Sequence, residues 1–78
     1  MAPESVIARV FGLARREVSD ATSNTTVSAW DSLSHVTLIL ELESAYGVSF
    51  SAEETLTMTD VGTIKRVLQT HGVSWNGA

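Results

Sequence analysis

The segment from Leu33 to Tyr46 contains no helix-breaking residue, and this uninterrupted stretch is the strongest constraint on the fold. Asp31 before it is a favourable N-cap and Gly47 after it a favourable stop, which predicts a single helix. At about 100° per residue, its apolar side chains fall into two separate groups. A broad face holds Leu38, Ile39, Leu42, Ala45 and Tyr46, with His35 among them, and a second stripe holds Leu33, Val36 and Leu40.

Three further helices are predicted, each with terminal residues that favour a helix start or stop. They run from Pro3 to Phe11 with Gly12 as the stop, from Glu53 to Met58 after a Ser51–Glu54 capping box, and from about Asp60 to Thr70 before Gly72. The predicted fold class is all-α: a small four-helix bundle of three main helices plus one short helix. A bundle needs one apolar face per helix, so the second stripe either packs under a loop or is exposed for a partner.

The loop between the first two helices is long for a domain of this size. Its residues from Ser19 to Ser28 are mostly small and polar, and such side chains compete with the backbone for hydrogen bonds. A loop of about fifteen residues in a small domain indicates function or mobility. We expect a single small domain over residues 1–78, with a core of about 3–71 and a tail of 72–78 in which Trp75 is free to fold back.

The composition excludes several functional classes. The chain has no cysteine, which rules out disulfides and thiolate chemistry, and its histidines, His35 and His71, lack metal-ligand spacing. A formal charge of −4 argues against a nucleic-acid or anionic-membrane surface. There is no apolar run of about 20 residues and no leader pattern. We therefore expect a cytoplasmic monomer with no metal site, no nucleic-acid partner and no membrane insertion.

Acidic residues are concentrated in the middle of the chain. No Lys or Arg occurs between Glu17 and Ile64, a stretch that holds eight Asp and Glu residues. These acids either solvate helix faces or form an anionic docking surface for a basic partner.

The sequence contains no constellation of catalytic residues. Ser32 and His35 are neighbours on one helix, but nothing supplies an oxyanion hole, and we expect His35 to be buried and hydrogen-bonded. Glu41 and Glu43 lie on opposite sides of that helix, so they cannot form an acid–base pair. No Gly-rich phosphate loop is present. The protein is therefore predicted not to be an enzyme.

The remaining motif is Asp31-Ser32-Leu33 at a helix start, and its sequence context makes it specific. Trp30 precedes it; Leu42-Glu43-Ser44-Ala45-Tyr46-Gly47-Val48, Phe50, Glu53-Glu54 and Thr59-Asp60-Val61 follow it. From about Val6 to Leu68 this pattern resembles the acyl carrier proteins, the phosphopantetheine-binding carrier family. The resemblance implies that Ser32 is the attachment point of 4′-phosphopantetheine, transferred from coenzyme A by a phosphopantetheinyl transferase. Asp31 would lie beside the incoming phosphate and also cap the helix.

The resemblance also implies surfaces for partners and cargo. The partner surface would consist of Leu33, Val36 and Leu40 with the acidic residues Glu41, Glu43, Glu53 and Glu54 around them. A long cargo would enter between the helices near Ile39, Phe50, Thr55 and Met58. Expected partners are the transferase, an acyl- or aminoacyl-loading enzyme, and a synthase or acyltransferase that acts on the thioester.

The resemblance leaves the pathway open. Three residues after the serine differ from the acidic residues that are usual in the family: Ser34, Thr37 and Ser44. This difference argues against fatty acid synthesis and favours polyketide, specialised lipid or aminoacyl pathways. One alternative is an aminoacyl or peptidyl carrier that uses the same Ser32. Another, of a different class, is a helical protein-interaction module without the cofactor.

Overall fold

A computed structural model describes residues 1–75 of the protein and confirms the all-α class. It contains α1 (Pro3–Phe11), α2 (Ser32–Tyr46), α3 (Ala52–Thr57) and α4 (Val61–Thr70). A short 3₁₀ helix, Arg15–Glu17, follows α1 and was not predicted. Over these residues no strand forms, and the one isolated bridge pairs Ser23 with Asp60. None of the helices in the described part is long and apolar enough to cross a membrane.

The predicted capping residues account for the helix boundaries. The Asp31 carboxylate accepts a hydrogen bond from the Ser34 backbone N–H at 2.9 Å, and α2 stops at Gly47, which adopts the left-handed φ of 66°. In the capping box of α3, the Glu54 N–H donates to the Ser51 hydroxyl at 3.1 Å and the Ser51 N–H donates to the Glu54 carboxylate at 2.9 Å. Local sequence signals therefore set the bounds of α2 and α3.

The core lies between α1, α2 and α4. Leu38 and Leu42 of the predicted core face of α2 are fully buried there. The other fully buried side chains include Val6, Ile7, Met58, Val61, Ile64 and Leu68. Ala45, which was predicted on the core face of α2, is exposed. Ala45 lies at the edge of that face, and its single methyl group is too short to reach the core. Trp75 is half-buried and packs against the core. The rest of the predicted tail, residues 76–78, lies outside the described residues.

The loop that leads to α2 is anchored to the start of α4. The backbone N–H of Val61 donates to the Thr22 carbonyl at 3.0 Å, and the N–H of Gly62 donates to the Asp20 carbonyl at 3.1 Å. The N–H of Asn24 donates to the carbonyl of Thr59 at 3.0 Å. The loop carbonyls thus satisfy N–H groups that a helix N-terminus leaves without internal partners. The loop is an ordered part of the fold.

A cluster of charges joins this loop to α1 and α4. Glu4 is buried, and its carboxylate forms an ion pair with Lys65, which also pairs with Asp20 at 2.6 Å. Arg15 lies 3.8 Å from the second Glu4 oxygen, which is buried and accepts no hydrogen bond from the described residues. Lys65 therefore connects α4 to the first turn of α1 and to the loop.

Candidate functional site

Ser32 is the first residue of α2, and its side chain is exposed. Within residues 1–75 no hydrogen bond engages its hydroxyl group. The adjacent Asp31 caps the helix, and hydrogen bonding from the Ser34 backbone N–H holds the pKa of the Asp31 carboxyl below its ordinary value of 3.8. At neutral pH an accessible hydroxyl group thus lies beside an ionised carboxylate at a helix N-terminus.

A cleft opens beside Ser32, between α2 and the long loop. Its volume is about 290 Å³. It is lined by Asn24, Trp30, Asp31, Ser32, His35 and Thr59. Asn24 and Thr59 are brought to the cleft by the backbone bond that anchors the loop near α4. The hydroxyl of Ser32 is therefore next to a concave surface built from three separate stretches of chain.

Two of the residues that line this cleft, Trp30 and His35, are held by a ring-to-ring and a ring-to-backbone hydrogen bond. The indole N–H of the buried Trp30 donates to Nδ1 of His35 at 3.0 Å. Because an indole N–H is only a donor, Nδ1 must accept, and the proton of the neutral imidazole is on Nε2. Nε2 then donates to the Thr55 carbonyl of α3 at 2.8 Å. The predicted hydrogen bonding of His35 is confirmed, since both ring nitrogens have partners, but the residue is half-buried and not buried as predicted, because it lies beside the open cleft.

The second apolar stripe of α2 is exposed and does not pack under a loop. Leu33 is 79% exposed, Val36 56% and Leu40 59%. A fourth exposed apolar side chain, Leu56 of α3, is 79% exposed and was not singled out from the sequence, because α3 is too short to show a clear apolar face. Exposed apolar side chains grouped on one face are typical of an interaction surface.

Three of the four acidic residues predicted around this stripe have partners within the chain. Glu41 pairs with Arg9 at 3.0 Å, and the Glu43 carboxylate accepts a hydrogen bond from the Phe50 backbone N–H at 2.8 Å. Glu54 caps α3, and its carboxylate lies 2.9 Å from Nε2 of His71 at the end of α4. Glu53 is exposed, and within residues 1–75 it forms no ion pair. These contacts give most of the acids a structural task besides any role in docking.

The four residues predicted near a long cargo differ in their burial. Met58 and Ile39 are buried in the core, and Phe50 and Thr55 are half-buried. None of them lines the cleft beside Ser32, and none lines a second cavity of about 330 Å³ between Leu13 and Val27. In the protein without cargo, Ile39 and Met58 serve as packing residues.

Two cleft residues, Asn24 and Thr59, were not singled out as functional from the sequence. Asn24 lies within a run of similar polar residues, so its sequence position carries no signal. Thr59 precedes the N-cap Asp60 and appears in the sequence only as part of a helix start. Trp30 could have been found, because a large aromatic residue stands directly before Asp31-Ser32-Leu33.

Comparisons with known proteins provide no further guide to the site. No protein-family model matches the chain, and no curated protein matches it significantly.

Proposed function

We propose that the protein is an acyl carrier protein that bears 4′-phosphopantetheine on Ser32. The observation that carries this proposal is the exposed Ser32 at the first residue of α2, beside the capping Asp31 and the exposed Leu33. Its hydroxyl forms no hydrogen bond with any other residue in the described range 1–75. This arrangement leaves the serine accessible to a transferase while the helix start stays fixed by its cap.

The residues around Ser32 fit a phosphodiester group. On transfer, the Ser32 Oγ would form a bond to the phosphorus that bears the pantetheine arm. The bond from that phosphorus to the nucleotide part of coenzyme A would break, adenosine 3′,5′-bisphosphate would leave, and the serine proton would pass to solvent. The resulting phosphodiester would lie at the N-terminus of α2, where the helix dipole favours negative charge. Asp31 is the second negative group there, and it is ionised before modification. When bound, the cofactor supplies a terminal thiol that carries an acyl group as a thioester. The chain itself has no cysteine to compete with that thiol.

The exposed stripe of α2 is the proposed surface for partner enzymes. Leu33 is adjacent to Ser32, and Val36 and Leu40 continue its line along the helix. Small apolar contacts of this kind suit brief encounters, and nearby acidic residues attract basic rims on partners. The partners are a phosphopantetheinyl transferase, an acyl-loading enzyme, and a synthase or acyltransferase of fatty acid, polyketide or specialised lipid biosynthesis. An aminoacyl or peptidyl carrier would use the same serine and the same surface.

A second candidate function is a helical interaction module that carries no cofactor. The exposed stripe supports this candidate equally well, since it requires only a partner and not a modified serine. The two candidates differ in what happens at Ser32.

Intact mass spectrometry after incubation with coenzyme A and a promiscuous phosphopantetheinyl transferase distinguishes them. We expect the native chain to gain the mass of one phosphopantetheine group and Ser32→Ala to gain none. Ser44→Ala is the matched control, because Ser44 is an exposed serine near the other end of α2. If the native chain keeps its mass while a known carrier is modified under the same conditions, the carrier proposal is wrong and the interaction module remains.

A further inference from the structure

The cleft beside Ser32 is lined by aromatic rings and by polar side chains that form no hydrogen bond within residues 1–75. The Trp30 indole stacks on Phe11 with ring centroids 5.0 Å apart and lies 6.2 Å from the ring of His35. The Trp30 N–H and both His35 nitrogens are already hydrogen-bonded. Trp30 is only 4% exposed, so a small part of its ring, together with the half-buried ring of His35, can offer a ligand apolar contact while the polar atoms of both rings remain satisfied.

Besides Asp31 and Ser32, the cleft is lined by two polar side chains, those of Asn24 and Thr59. Three neighbouring loop hydroxyls are engaged: those of Ser23 and Thr25 bond to each other at 2.8 Å, and that of Thr26 donates to the Ser23 carbonyl at 3.1 Å. By contrast, within residues 1–75 no hydrogen bond engages the Asn24 amide or the Thr59 hydroxyl. Together they present donors and acceptors, which is the combination that an amide and a hydroxyl group require.

We propose that this cleft binds the part of the phosphopantetheine arm nearest to Ser32, the pantoyl segment. This inference rests on the proposed function. The pantoyl segment follows the phosphodiester directly and carries a pair of methyl groups, a hydroxyl and an amide. The methyl groups pack on the Trp30 wall, and the hydroxyl and amide hydrogen-bond to Asn24 and Thr59. Because Ser32 itself lines the cleft, the segment reaches this position without any rearrangement of the helix start.

The volume of the cleft limits what it can bind. Sites for drug-sized ligands have volumes of about 300–1,000 Å³. At about 290 Å³, this cleft lies at the lower end, so it accommodates a segment of the arm and not the arm together with a long acyl chain. The cleft therefore orients the arm, and the cargo at the thiol end lies outside it.

The test compares the ¹⁵N-labelled protein before and after modification by NMR. The chain has two tryptophans, and Trp75 does not line the cleft, so its indole N–H is an internal control. We expect modification to shift the Trp30 indole N–H resonance more than that of Trp75. We also expect nuclear Overhauser contacts between the pantoyl methyl protons and the Trp30 ring.

Variants show whether the polar groups contribute. In the double variant Asn24→Ala with Thr59→Val, these Overhauser contacts should be lost, whereas Ser28→Ala should keep them. Ser28 is an exposed loop residue outside the cleft. The NMR spectrum of the unmodified double variant shows whether it folds. If it does not fold, Asn24→Ala alone replaces it in the test, and this single variant should weaken the Overhauser contacts.

The outcomes separate this inference from the proposed function. If mass spectrometry shows the cofactor on Ser32 but the pantoyl methyl groups contact neither Trp30 nor Thr59, the inference is overturned and the carrier function stands. Overhauser contacts from the pantoyl methyl groups to Ile39 and Met58, in place of Trp30 and Thr59, would also overturn the inference and leave the carrier function standing. If no cofactor is added, the proposed function fails, and this inference fails with it.

Discussion

The indole nitrogen of Trp30 and Nδ1 of His35 are 3.0 Å apart, and this hydrogen bond joins the residue before the N-cap Asp31 to the first turn of α2. Through the bond from Nε2 of His35 to the Thr55 carbonyl, the same imidazole also holds α3. One side chain thus fixes the position of α3 relative to the turn that carries Ser32.

Replacing His35 should destabilise the protein. In His35→Leu the buried Trp30 N–H has no acceptor, and an unpaired buried polar group costs about 1–3 kcal/mol. Urea unfolding measures the change, and Thr37→Ala, an exposed position on the same helix, should change stability little. In a double-mutant cycle with Trp30→Phe, the loss of unfolding free energy in the double variant should be smaller than the sum of the two single losses. Each substitution removes the same hydrogen bond, so the second one has no such bond left to break. Additive losses would contradict the coupling.

Lys65→Met should be far more destabilising than Arg9→Met. Both substitutions break an ion pair, but the Glu4 side chain that faces Lys65 is only 11% exposed, whereas the Glu41 side chain that faces Arg9 is 46% exposed. Loss of a buried partner leaves a buried charge and costs on the order of 3 kcal/mol, whereas an exposed pair contributes below about 1 kcal/mol. Equal losses in urea unfolding would show that burial of Glu4 has no energetic role.

The contribution of this cluster to stability should depend on pH. Burial raises the pKa of Glu4, but the hydrogen bond and charge of Lys65, with Arg15, hold it below its ordinary value of 4.5. Folded protein therefore binds this proton more weakly than the unfolded chain, so the stabilisation is complete above pH 4.5 and is lost as the pH falls through the folded pKa. The difference in unfolding free energy between the native chain and Lys65→Met should be constant near neutral pH and smaller in acid. A difference that does not shrink in acid would contradict this assignment.

Asp31 has two separable roles, as a helix cap and as a charge beside the phosphodiester. Asp31→Asn keeps a side-chain oxygen for the Ser34 N–H and removes the charge, so stability should change little while modification by the transferase slows. Asp31→Ala removes both, so stability and modification should both fall. Thermal unfolding and the rate of mass gain measure the two effects. If Asp31→Asn is modified at the native rate, the charge has no part in the transfer.

Charge placed on the exposed stripe of α2 should disrupt partner recognition without unfolding the protein. Val36→Glu and Leu40→Glu alter exposed side chains, so thermal stability should stay close to that of the native chain. The rate of modification at low protein concentration should fall by about tenfold, equivalent to about 1.4 kcal/mol of lost interaction. Gln69→Glu on α4 adds the same charge at an exposed polar position and is the matched control. Full modification and transfer by both variants would show that the stripe is not an interface.

Structural features that depend on neighbouring residues could be predicted from the sequence, whereas features formed by residues far apart in the chain could not. The α2 helix was predicted from Leu33 and begins one residue earlier, because the Asp31 cap and the Gly47 stop are encoded beside it. The exposure of Leu33, Val36 and Leu40 was one of two alternatives, and only the packing decides between them. The ion pair of Glu4 with Lys65 joins the two ends of the chain, and no periodicity indicates it.

The candidate site follows the same division. Ser32 and its cap could be located from the motif, but the cleft beside them could not. Asn24 and Thr59 are brought together by a backbone hydrogen bond. Because backbone hydrogen bonds between a loop and a connector do not depend on a pattern of side chains, this contact could not be predicted from the sequence.

The anchoring of the loop on α4 has a consequence for hydrogen exchange. The amide protons of Val61 and Gly62 are bonded to loop carbonyls, so they exchange with solvent only when the loop detaches from the helix start or the whole chain unfolds. Asn24 moves with the same stretch of loop, and it forms one side of the cleft. The exchange rate of the Val61 amide proton therefore measures how often the loop beside Ser32 detaches from the start of α4.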